Sequence, residues 1–413
     1  MKIAEKSIWK YTIVYYDNAW SRHCAERIRD AITRKVGVRL PMVTDSSDER
    51  ECEIIVGKTS RPESVELRTR YDRPNIYYDI VLKGSKLICM GEGYRTLDRV
   101  ASILEALIGG EGEVSLRKNI ASGDLRADDD GNMIDRAEGT DVRVFDWNLN
   151  APGNMGANLI ENAERAADVI LRHLPDVIGT NEMYNSRNCE PYKRFYDAVM
   201  RELSPYYTVI ESSPYDEGQP TEGLRGDSNR YGIPPENIIF RRELELYPVA
   251  SGYRYTPNLI TYHGYHWAIF KAEAGSFIFS VGHYEESRND PTCAIAHMET
   301  TKFAQQRAGS DELLPEVITG DLFTHYGCKN SGYSAFADAG YIDAQRQAEI
   351  NCNGDIACST YHRIGKHHPR WANSIDLVMC KGIIKPLKFK VITSQEALDV
   401  SDHCPVCADL KFN

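Results

Sequence analysis

The sequence predicts an α/β protein of two domains, on three observations. At 413 residues the chain is longer than an ordinary domain of about 100 to 200 residues. Short apolar runs alternate with stretches whose apolar residues recur every three or four positions, as strands and amphipathic helices require. One stretch rich in Asp and Gly, SGDLRADDDGNMIDRAEGTD, breaks the alternation. We therefore expect a small α/β domain over residues 1–121, an acidic linker over 122–141 and a second domain over 142–413.

Residues 11–110 have the pattern of a small α/β unit. Strand-like TIVYY is followed by AWSRHCAERIRDAITRKVG, an amphipathic helix with Gly37 as its stop signal. Three β-rich stretches (CEIIVG, YYDIVLKG, KLICMG) and helical YRTLDRVASILEALIGG come next. The segment VGKTSRPES, with the hairpin and helix after it, resembles the accessory domain that precedes the catalytic barrel of bacterial hexosaminidases. We predict a structural or docking role for this domain, with a carbohydrate or a protein as its partner.

Strands and helices alternate through the second domain. VRVFDW predicts a strand, ANLIENAERAADVILRHL predicts a helix that Pro175 ends, and DVIGTNEM predicts another buried strand. Further strand candidates are ENIIFRR, YHWAIFKA, SFIFSVGHY, EVITGDLF, SIDLVMCKG and CPVCADLKF. Nearly all of these runs end in acids, amides or histidines.

Those polar strand ends predict the site. In a layered α/β protein, side chains at strand termini converge on one rim of the sheet, where a rigid scaffold fixes them. Carboxylates with an amide oxygen form a hard environment that suits Mg²⁺ or Mn²⁺ better than zinc. Histidines beside aspartates provide a base that a carboxylate can orient, as activation of water against phosphorus requires. The residues concerned are Asn148, Glu182, His283, Asp321, Asp376, Asp402 and His403.

Six motifs of the second domain, in chain order, resemble those of the endonuclease/exonuclease/phosphatase superfamily, which has the fold of deoxyribonuclease I. They are FDWNLN, PDVIGTNEM, SVGHYE, VITGDLF, SIDLVM and VSDHCPV, and the likeness covers residues 142–412. The resemblance implies a four-layer α/β/β/α sandwich and a metal-dependent hydrolase of phosphoester bonds. It also implies that Glu182 is the principal metal ligand, helped by Asn148 and Asp402.

The resemblance assigns the remaining residues to catalysis. His403 would be the base or would stabilise the pentacoordinate phosphorane, and Asp376 would orient its imidazole. Asp321 would position the attacking water or hold the metal. His283 would donate a hydrogen bond to a phosphate oxygen.

Two positions depart from the family pattern. The usual glutamine before the metal-binding glutamate is Asn181, and the usual asparagine of the GDxN motif is Phe323. The missing amide implies a weakened site, an altered substrate stacked on Phe323, or replacement by another donor. We expect that donor to be Asn330, with His325 as the alternative, because both follow closely in the sequence.

The substrate is less constrained than the reaction. Arg225 and Arg230 lie in a loop suited to recognising phosphate, and GKHHPR at 365–370 is a second basic candidate. A formal charge of −11 disfavours long contacts with DNA or RNA, so we expect a phosphorylated small molecule or lipid headgroup, with a nuclease as the alternative. A degenerate, weakly active domain that binds a carbohydrate or a partner is the alternative from another functional class.

The sequence also bears on where the protein works. It has no apolar run of about 18 residues, so no membrane span is expected. Its 11 scattered cysteines fit reduced thiols and thus the cytoplasm. A secreted protein whose signal peptide had been removed would have the same start, and this stays the alternative.

Overall fold

The computed structural model describes residues 1–126, 134–150, 153, 156, 158–185, 189–210, 236–242, 247–255, 264–284, 291–309, 313–324, 326–353, 359–362 and 374–412. Its internal contacts divide the chain into two compact units, Met1–Asp130 and Gly131–Asn413. Among the described residues, no helix is long and apolar enough to cross a membrane. Arg225, Arg230, His325 and the GKHHPR segment lie outside the described residues.

The first unit is an α/β fold with a larger and a smaller sheet among its described residues. Its strands are β1 Lys2–Ile3, β2 Lys6–Ser7, β3 Thr12–Tyr15, β4 Met42–Thr44, β5 Glu53–Val56, β6 Tyr77–Lys83, β7 Lys86–Gly91, β8 Ser115–Leu116 and β9 Ala121–Asp124. Its helices are α1 Ala19–Val36, α2 Pro62–Arg68 and α3 Tyr94–Gly109. The described sheet has the order β4-β3-β5-β7-β6-β9, and β4, β3, β5 and β7 run parallel. A smaller sheet has the order β2-β1-β8.

Helix α1 shows why the sequence pattern predicts this unit. Trp20, Cys24 and Ile28 recur every four residues and are buried on one face of the helix. The side chain of Asn18 accepts a hydrogen bond from the backbone N–H of Ser21 at 2.8 Å and caps the start. Gly37 ends the helix in the left-handed region, at φ 71°, as predicted for a glycine stop.

The second unit contains the remaining described elements. Its strands are β10 Val142–Asn148, β11 Val177–Asn181, β12 Tyr207–Ile210, β13 Asn237–Arg241, β14 Tyr247–Tyr255, β15 Gly264–Ala272, β16 Gly275–His283, β17 Glu316–Asp321, β18 Ile342–Asp343, β19 Ile350–Asn351, β20 Asp376–Lys381, β21 Ile384–Val391 and β22 Val406–Phe412. Its helices are α4 Leu159–His173, α5 Glu190–Leu203, α6 Thr292–Ala308, α7 Gly332–Asp338, α8 Ala344–Gln347 and α9 Gln395–Val400.

These elements build four layers. One described sheet has the order β12-β13-β11-β10-β22-β21-β19, and the other has the order β14-β15-β16-β17-β20-β18. The inner faces of the sheets share an apolar core that includes Val144, Phe279 and Val317. Helices α4, α5 and α9 cover the first sheet, and α6 and α7 cover the second. The four-layer α/β/β/α sandwich expected from the motifs is therefore confirmed.

Strand β10 shows how alternation directs side chains to two layers. Phe145 and Trp147 pack against the helices, whereas Val144 packs between the sheets. Asp146 and Asn148 have the parity of Val144, so they also face the second sheet. A Cβ added to Gly179 would lie 2.7 Å from Asp146 Oδ1, so this glycine leaves room for the buried carboxyl.

The two ends of the predicted linker are held by hydrogen bonds. Strand β9, which covers residues 121–124, pairs with β6 at the edge of the first sheet. Near the other end, the carboxylates of Asp409 and Asp141 accept the backbone N–H groups of Ala137 and Phe412, at 2.8 Å and 2.7 Å. Backbone pairing and capping thus extend into both ends of a stretch whose composition has little to bury.

Candidate active site

The predicted polar residues lie at neighbouring strand ends in each of the two sheets. In the first sheet Asn148 at the end of β10 lies opposite Asn181 at the end of β11. In the second sheet His283, Asp321 and Asp376 are consecutive partners on β16, β17 and β20. Because β10 and β11 pack on β16 and β17, the two rows of side chains meet between the sheets.

Asn148 joins two carboxylates across the layer. Its Nδ2 lies 3.1 Å from Glu182 Oε1 and 3.1 Å from Asp321 Oδ2. Its Oδ1 accepts the backbone N–H of Asn150 at 3.0 Å, which fixes the orientation of the amide. The amide nitrogen of Asn148 therefore faces the acidic groups in this structure.

Asp376 and His403 form the predicted dyad geometry. His403 Nδ1 lies 2.9 Å from one carboxylate oxygen of Asp376 and 3.1 Å from the other. His403 Nε2 points in the other direction, 3.5 Å from Asp321 Oδ2. Both residues are buried. The imidazole is held at one nitrogen and presents the other to the centre of the site.

His283 approaches Asp321 from the neighbouring strand β16. Its Nε2 lies 3.4 Å from Asp321 Oδ2 and 3.7 Å from Glu182 Oε1. Asp321 Oδ2 therefore accepts a hydrogen bond from Asn148 Nδ2 and lies near the Nε2 atoms of both imidazoles. Among the described residues, Asp321, Asp376 and His403 form a group whose ligand atoms lie within 4.8 Å of one another. Because His403 Nδ1 is hydrogen-bonded to Asp376 and Nε2 faces Asp321, this group is a row of an imidazole between two carboxylates.

The local charges set the protonation states. Burial lowers the pKa of His403, but Asp376 and Asp321 outweigh it and raise that pKa to about 10. Burial likewise lowers the pKa of His283, and Asp321 and Glu182 raise it to about 9. Burial raises the pKa of Asp321, yet the two imidazoles and Asn148 bring it below its ordinary value. Burial raises the pKa of Asp376, although the nearby His403 lowers it in part. We place the proton between the two groups on the imidazole, because the imidazole faces two carboxylates.

Strained backbone follows several of the strand ends. Asn150, Glu182 and Phe323 have left-handed φ values of 42°, 53° and 41°. For residues other than glycine this conformation costs on the order of 1 kcal/mol or more and is often found at functional sites. It turns the chain sharply after β10, β11 and β17, where the candidate residues lie.

Asp402 and the substrate-side predictions have different environments. Asp402 is half-buried, and its Oδ1 accepts Asn150 Nδ2 at 2.8 Å. Phe323 is half-buried, and its ring is nearly parallel to the His283 imidazole, at 17° with 6.0 Å between centroids. Asn330 is exposed in a left-handed turn before α7, and no hydrogen bond joins its side chain to the site within the described residues.

Several residues that support the site were not identified from the sequence. Trp147 Nε1 donates to the carbonyl of His403 at 2.8 Å. Ser401 Oγ donates to the carbonyl of Asn148 at 2.6 Å and accepts the N–H of His403 at 3.1 Å. Thr360 Oγ1 accepts the N–H of Asp376 at 3.1 Å, and the half-exposed ring of Tyr361 lies 5.1 Å from that of His403. The Ser401–His403 segment is therefore fixed from β10, and the backbone N–H of His362 also donates to the Asp402 carbonyl at 2.7 Å.

Neither family models nor curated proteins match the chain. Among solved structures, the chain is similar to an endonuclease/exonuclease/phosphatase from Bacteroides vulgatus, at 17% identity and a TM-score of 0.48, over 66% of this chain and 100% of that one. It is similar to a mannosyl-6-phosphatase from Bacteroides thetaiotaomicron, at 17% identity and a TM-score of 0.47, over 66% and 100%. It is also similar to the human Nocturnin catalytic domain, at 16% identity and a TM-score of 0.47, over 68% and 99%. The first of these solved structures belongs to the family that the motifs of residues 142–412 resemble.

Proposed function

We propose that the second unit is a divalent-metal-dependent phosphoesterase that directs water onto phosphorus. One observation carries the proposal: two buried imidazoles, His283 and His403, converge on a single oxygen of Asp321, at 3.4 Å and 3.5 Å. This combines two cationic donors with a carboxylate that can hold water. Phosphoryl transfer needs donors for the phosphate oxygens and a group that aligns the nucleophile.

The metal would be held by Glu182 and Asp402, with Asn148 beside them. Glu182 and Asp402 are incompletely buried carboxylates. Asn148 donates a hydrogen bond to Glu182 at 3.1 Å, and Asn150 donates one to Asp402 at 2.8 Å. The backbone N–H of Asn150 donates to Asn148, so hydrogen bonds connect the two carboxylates. One or two carboxylates with water are the usual protein share of a Mg²⁺ site, so this donor set fits Mg²⁺ or Mn²⁺. Asn148 Oδ1 keeps a second lone pair beyond the one that accepts the Asn150 N–H. A bound divalent ion would neutralise phosphate charge and stabilise the leaving oxygen.

The protonation states favour particular roles for the catalytic residues. With pKa values raised to about 9 and 10, His283 and His403 are cations at neutral pH in the metal-free protein. They would donate hydrogen bonds to phosphate oxygens and to the pentacoordinate phosphorane. Asp321, whose pKa is lowered, would be ionised and would orient the attacking water. Asp376 would hold His403 in the tautomer and orientation that this donation needs.

The substrate that this site favours is a small phosphoester. The formal charge of −11 gives the chain little general attraction for a nucleic-acid backbone. A phosphorylated small molecule, such as a sugar phosphate or a lipid headgroup, needs only local donors like the two histidines. Docking of a carbohydrate or a protein by the first unit remains a further part of the proposal.

A substrate panel tests the reaction class. We expect Mg²⁺- or Mn²⁺-dependent hydrolysis of at least one of bis-p-nitrophenyl phosphate, p-nitrophenyl phosphate, a sugar phosphate, sphingomyelin and plasmid DNA. Glu182→Gln should weaken Mn²⁺ binding in calorimetry and lower turnover by about 10² or more, since it removes a charged ligand. Glu164→Gln is the matched control, because Glu164 is a buried acid of α4 that pairs with Arg201. Unchanged Mn²⁺ affinity in Glu182→Gln would refute the metal assignment.

Phe323 supports the second candidate function. Its ring covers His283 where the motif usually has an amide donor, and this would suit a degenerate domain that binds phosphorylated ligands and turns them over slowly. Failure of folded protein to hydrolyse any substrate of the panel, together with measurable binding of a phosphorylated sugar, would favour this function.

A further inference from the structure

We propose that Asn181 is a positioning residue that holds His283 and Asp321 of the second sheet at a fixed distance from Glu182 of the first. The positioning matters for catalysis only if the proposed function is correct. Asn181 directly precedes the candidate metal ligand Glu182, at the position where the family pattern has glutamine.

Two hydrogen bonds from the Asn181 side chain join the two sheets. Asn181 is fully buried at the end of β11. Its Nδ2 donates to the carbonyl of Gly282 at 3.1 Å, one residue before His283. Its Oδ1 accepts the backbone N–H of Asp321 at 3.1 Å. One side chain thus contacts the backbone beside both groups that meet at Asp321 Oδ2.

The two backbone segments that Asn181 contacts lie unusually close together. Gly282 and Gly320 are partners on β16 and β17, and a Cβ added to Gly320 would lie 1.9 Å from the Gly282 carbonyl oxygen. Gly320 has a φ of 136°, which a residue with a side chain rarely adopts. The close approach of these glycines places one carbonyl and one N–H where a single amide can satisfy both.

The chemistry of the contact requires a primary amide. A carboxylate could accept from the Asp321 N–H but could not donate to the Gly282 carbonyl, and leucine could do neither. Buried backbone groups that lose their partners are unfavourable, so the strand ends would shift until other partners were found. Such a shift would change the spacing of His283, Asp321 and Glu182, because Glu182 directly follows Asn181 in the chain.

The test compares Asn181→Leu with a matched amide elsewhere. Asn353 also uses both ends of its amide, donating to the Val391 carbonyl at 3.0 Å and accepting the Val391 N–H at 2.6 Å, but it lies beside β21. We expect Asn181→Leu to lower kcat by about 10² with KM changed by less than about threefold. Asn353→Leu should lower thermal stability with kcat within about threefold of the natural protein. Asn181→Thr, which retains one hydrogen-bonding group, should give an intermediate kcat and provides a second variant if the leucine variant does not fold.

Two further measurements do not depend on turnover. Amide hydrogen exchange at Asp321 should accelerate by about 10² in Asn181→Leu, whereas exchange at Thr319 should change little. A crystal structure of the variant should show His283 Nε2 displaced from Asp321 Oδ2. If the natural protein hydrolyses nothing, the proposed function fails, and these two measurements still decide the role of Asn181. Unchanged exchange at Asp321, an unchanged distance between His283 and Asp321, or a kcat matching that of Asn353→Leu would overturn the proposal.

Discussion

At the scale of single residues, the site depends on the charge around His403. Burial alone would lower the pKa of this imidazole, and two carboxylates reverse that effect and raise it to about 10. His297 provides the opposite case within the same unit: burial lowers its pKa to about 3, and its ring nitrogens lie 2.7 Å from Ser280 Oγ and 3.0 Å from Tyr284 Oη. Two buried histidines therefore differ in charge because only one of them faces carboxylates.

This contrast can be measured by histidine NMR on the metal-free protein. His403 should titrate near pH 10, and His297 should stay neutral between about pH 5 and 9. Asp376→Asn should lower the pKa of His403 by about one unit or more, because it removes the nearest negative charge. An unchanged titration of His403 in Asp376→Asn would show that Asp376 does not control the imidazole.

The surroundings of Phe323 and Asn330 favour a different order of effects from the one that the sequence predicts. The sequence predicts that Asn330 supplies the missing amide donor; in the structure Asn330 is exposed, and the ring of Phe323 is stacked beside His283. We therefore expect Phe323→Leu to change kcat or KM more than Asn330→Ala does. Phe323→Asn should raise phosphodiesterase activity by about tenfold, since asparagine tolerates the left-handed backbone and restores an amide donor. Steady-state kinetics of the three variants decide the order, and a larger loss in Asn330→Ala would restore the first expectation.

At the scale of elements, the Ser401–His403 segment is positioned from β10. Ser401 Oγ connects the Asn148 carbonyl to the His403 N–H, so the end of a strand and the loop that contains His403 share one hydroxyl. Trp147 makes a second link by donating to the His403 carbonyl. The polar end of FDWNLN is thus explained by the loop and site that it holds.

Ser401→Ala should therefore affect catalysis more than folding. Loss of the hydroxyl leaves a buried N–H without its partner, at a cost of about 1 to 3 kcal/mol, and frees the loop that carries His403. We expect kcat to fall by about tenfold with a modest loss of thermal stability. Ser64→Ala is the control, because Ser64 is a buried serine of the first unit whose hydroxyl donates to the Gly57 carbonyl at 3.0 Å. Equal kcat values for the two variants would contradict the role of Ser401.

The elements also show what the sequence could and could not predict. Helices α1, α3 and α4 could be predicted because each has a sustained apolar period and a stop signal, and the structure confirms all three. Helix α2 was missed because its seven residues bury only Ser64 and Leu67, too short a run for a period to emerge. Strand ends identified the polar residues of the site. The links through Asn181 and Ser401 join residues more than 100 positions apart, and no local pattern reveals them.

At the scale of the whole molecule, the buried charges of the second unit predict how stability depends on pH. Burial, followed by the charges of Asp376 and Asp321, raises the pKa of Asp146 well above its ordinary value. The folded state therefore retains a proton that the unfolded state releases above about pH 4. The raised pKa values of His283 and His403 act in the same direction, between 6.5 and about 9 to 10. Each such proton makes the free energy of unfolding fall by up to about 1.4 kcal/mol per pH unit.

Asp146→Asn should separate the contribution of the carboxyl from that of the histidines. The amide is nearly the same size, fits the room beside Gly179 and has no proton to retain, so the free energy of unfolding should fall less steeply with pH above about pH 4. Urea unfolding of the metal-free protein, between about pH 5 and 10, measures this slope. Asp338→Asn, at an exposed carboxylate of α7, is the control and should leave the slope unchanged. If Asp146→Asn retains the full slope of the natural protein, the carboxyl is ionised in the folded state, and another buried group must then account for the loss of stability at alkaline pH.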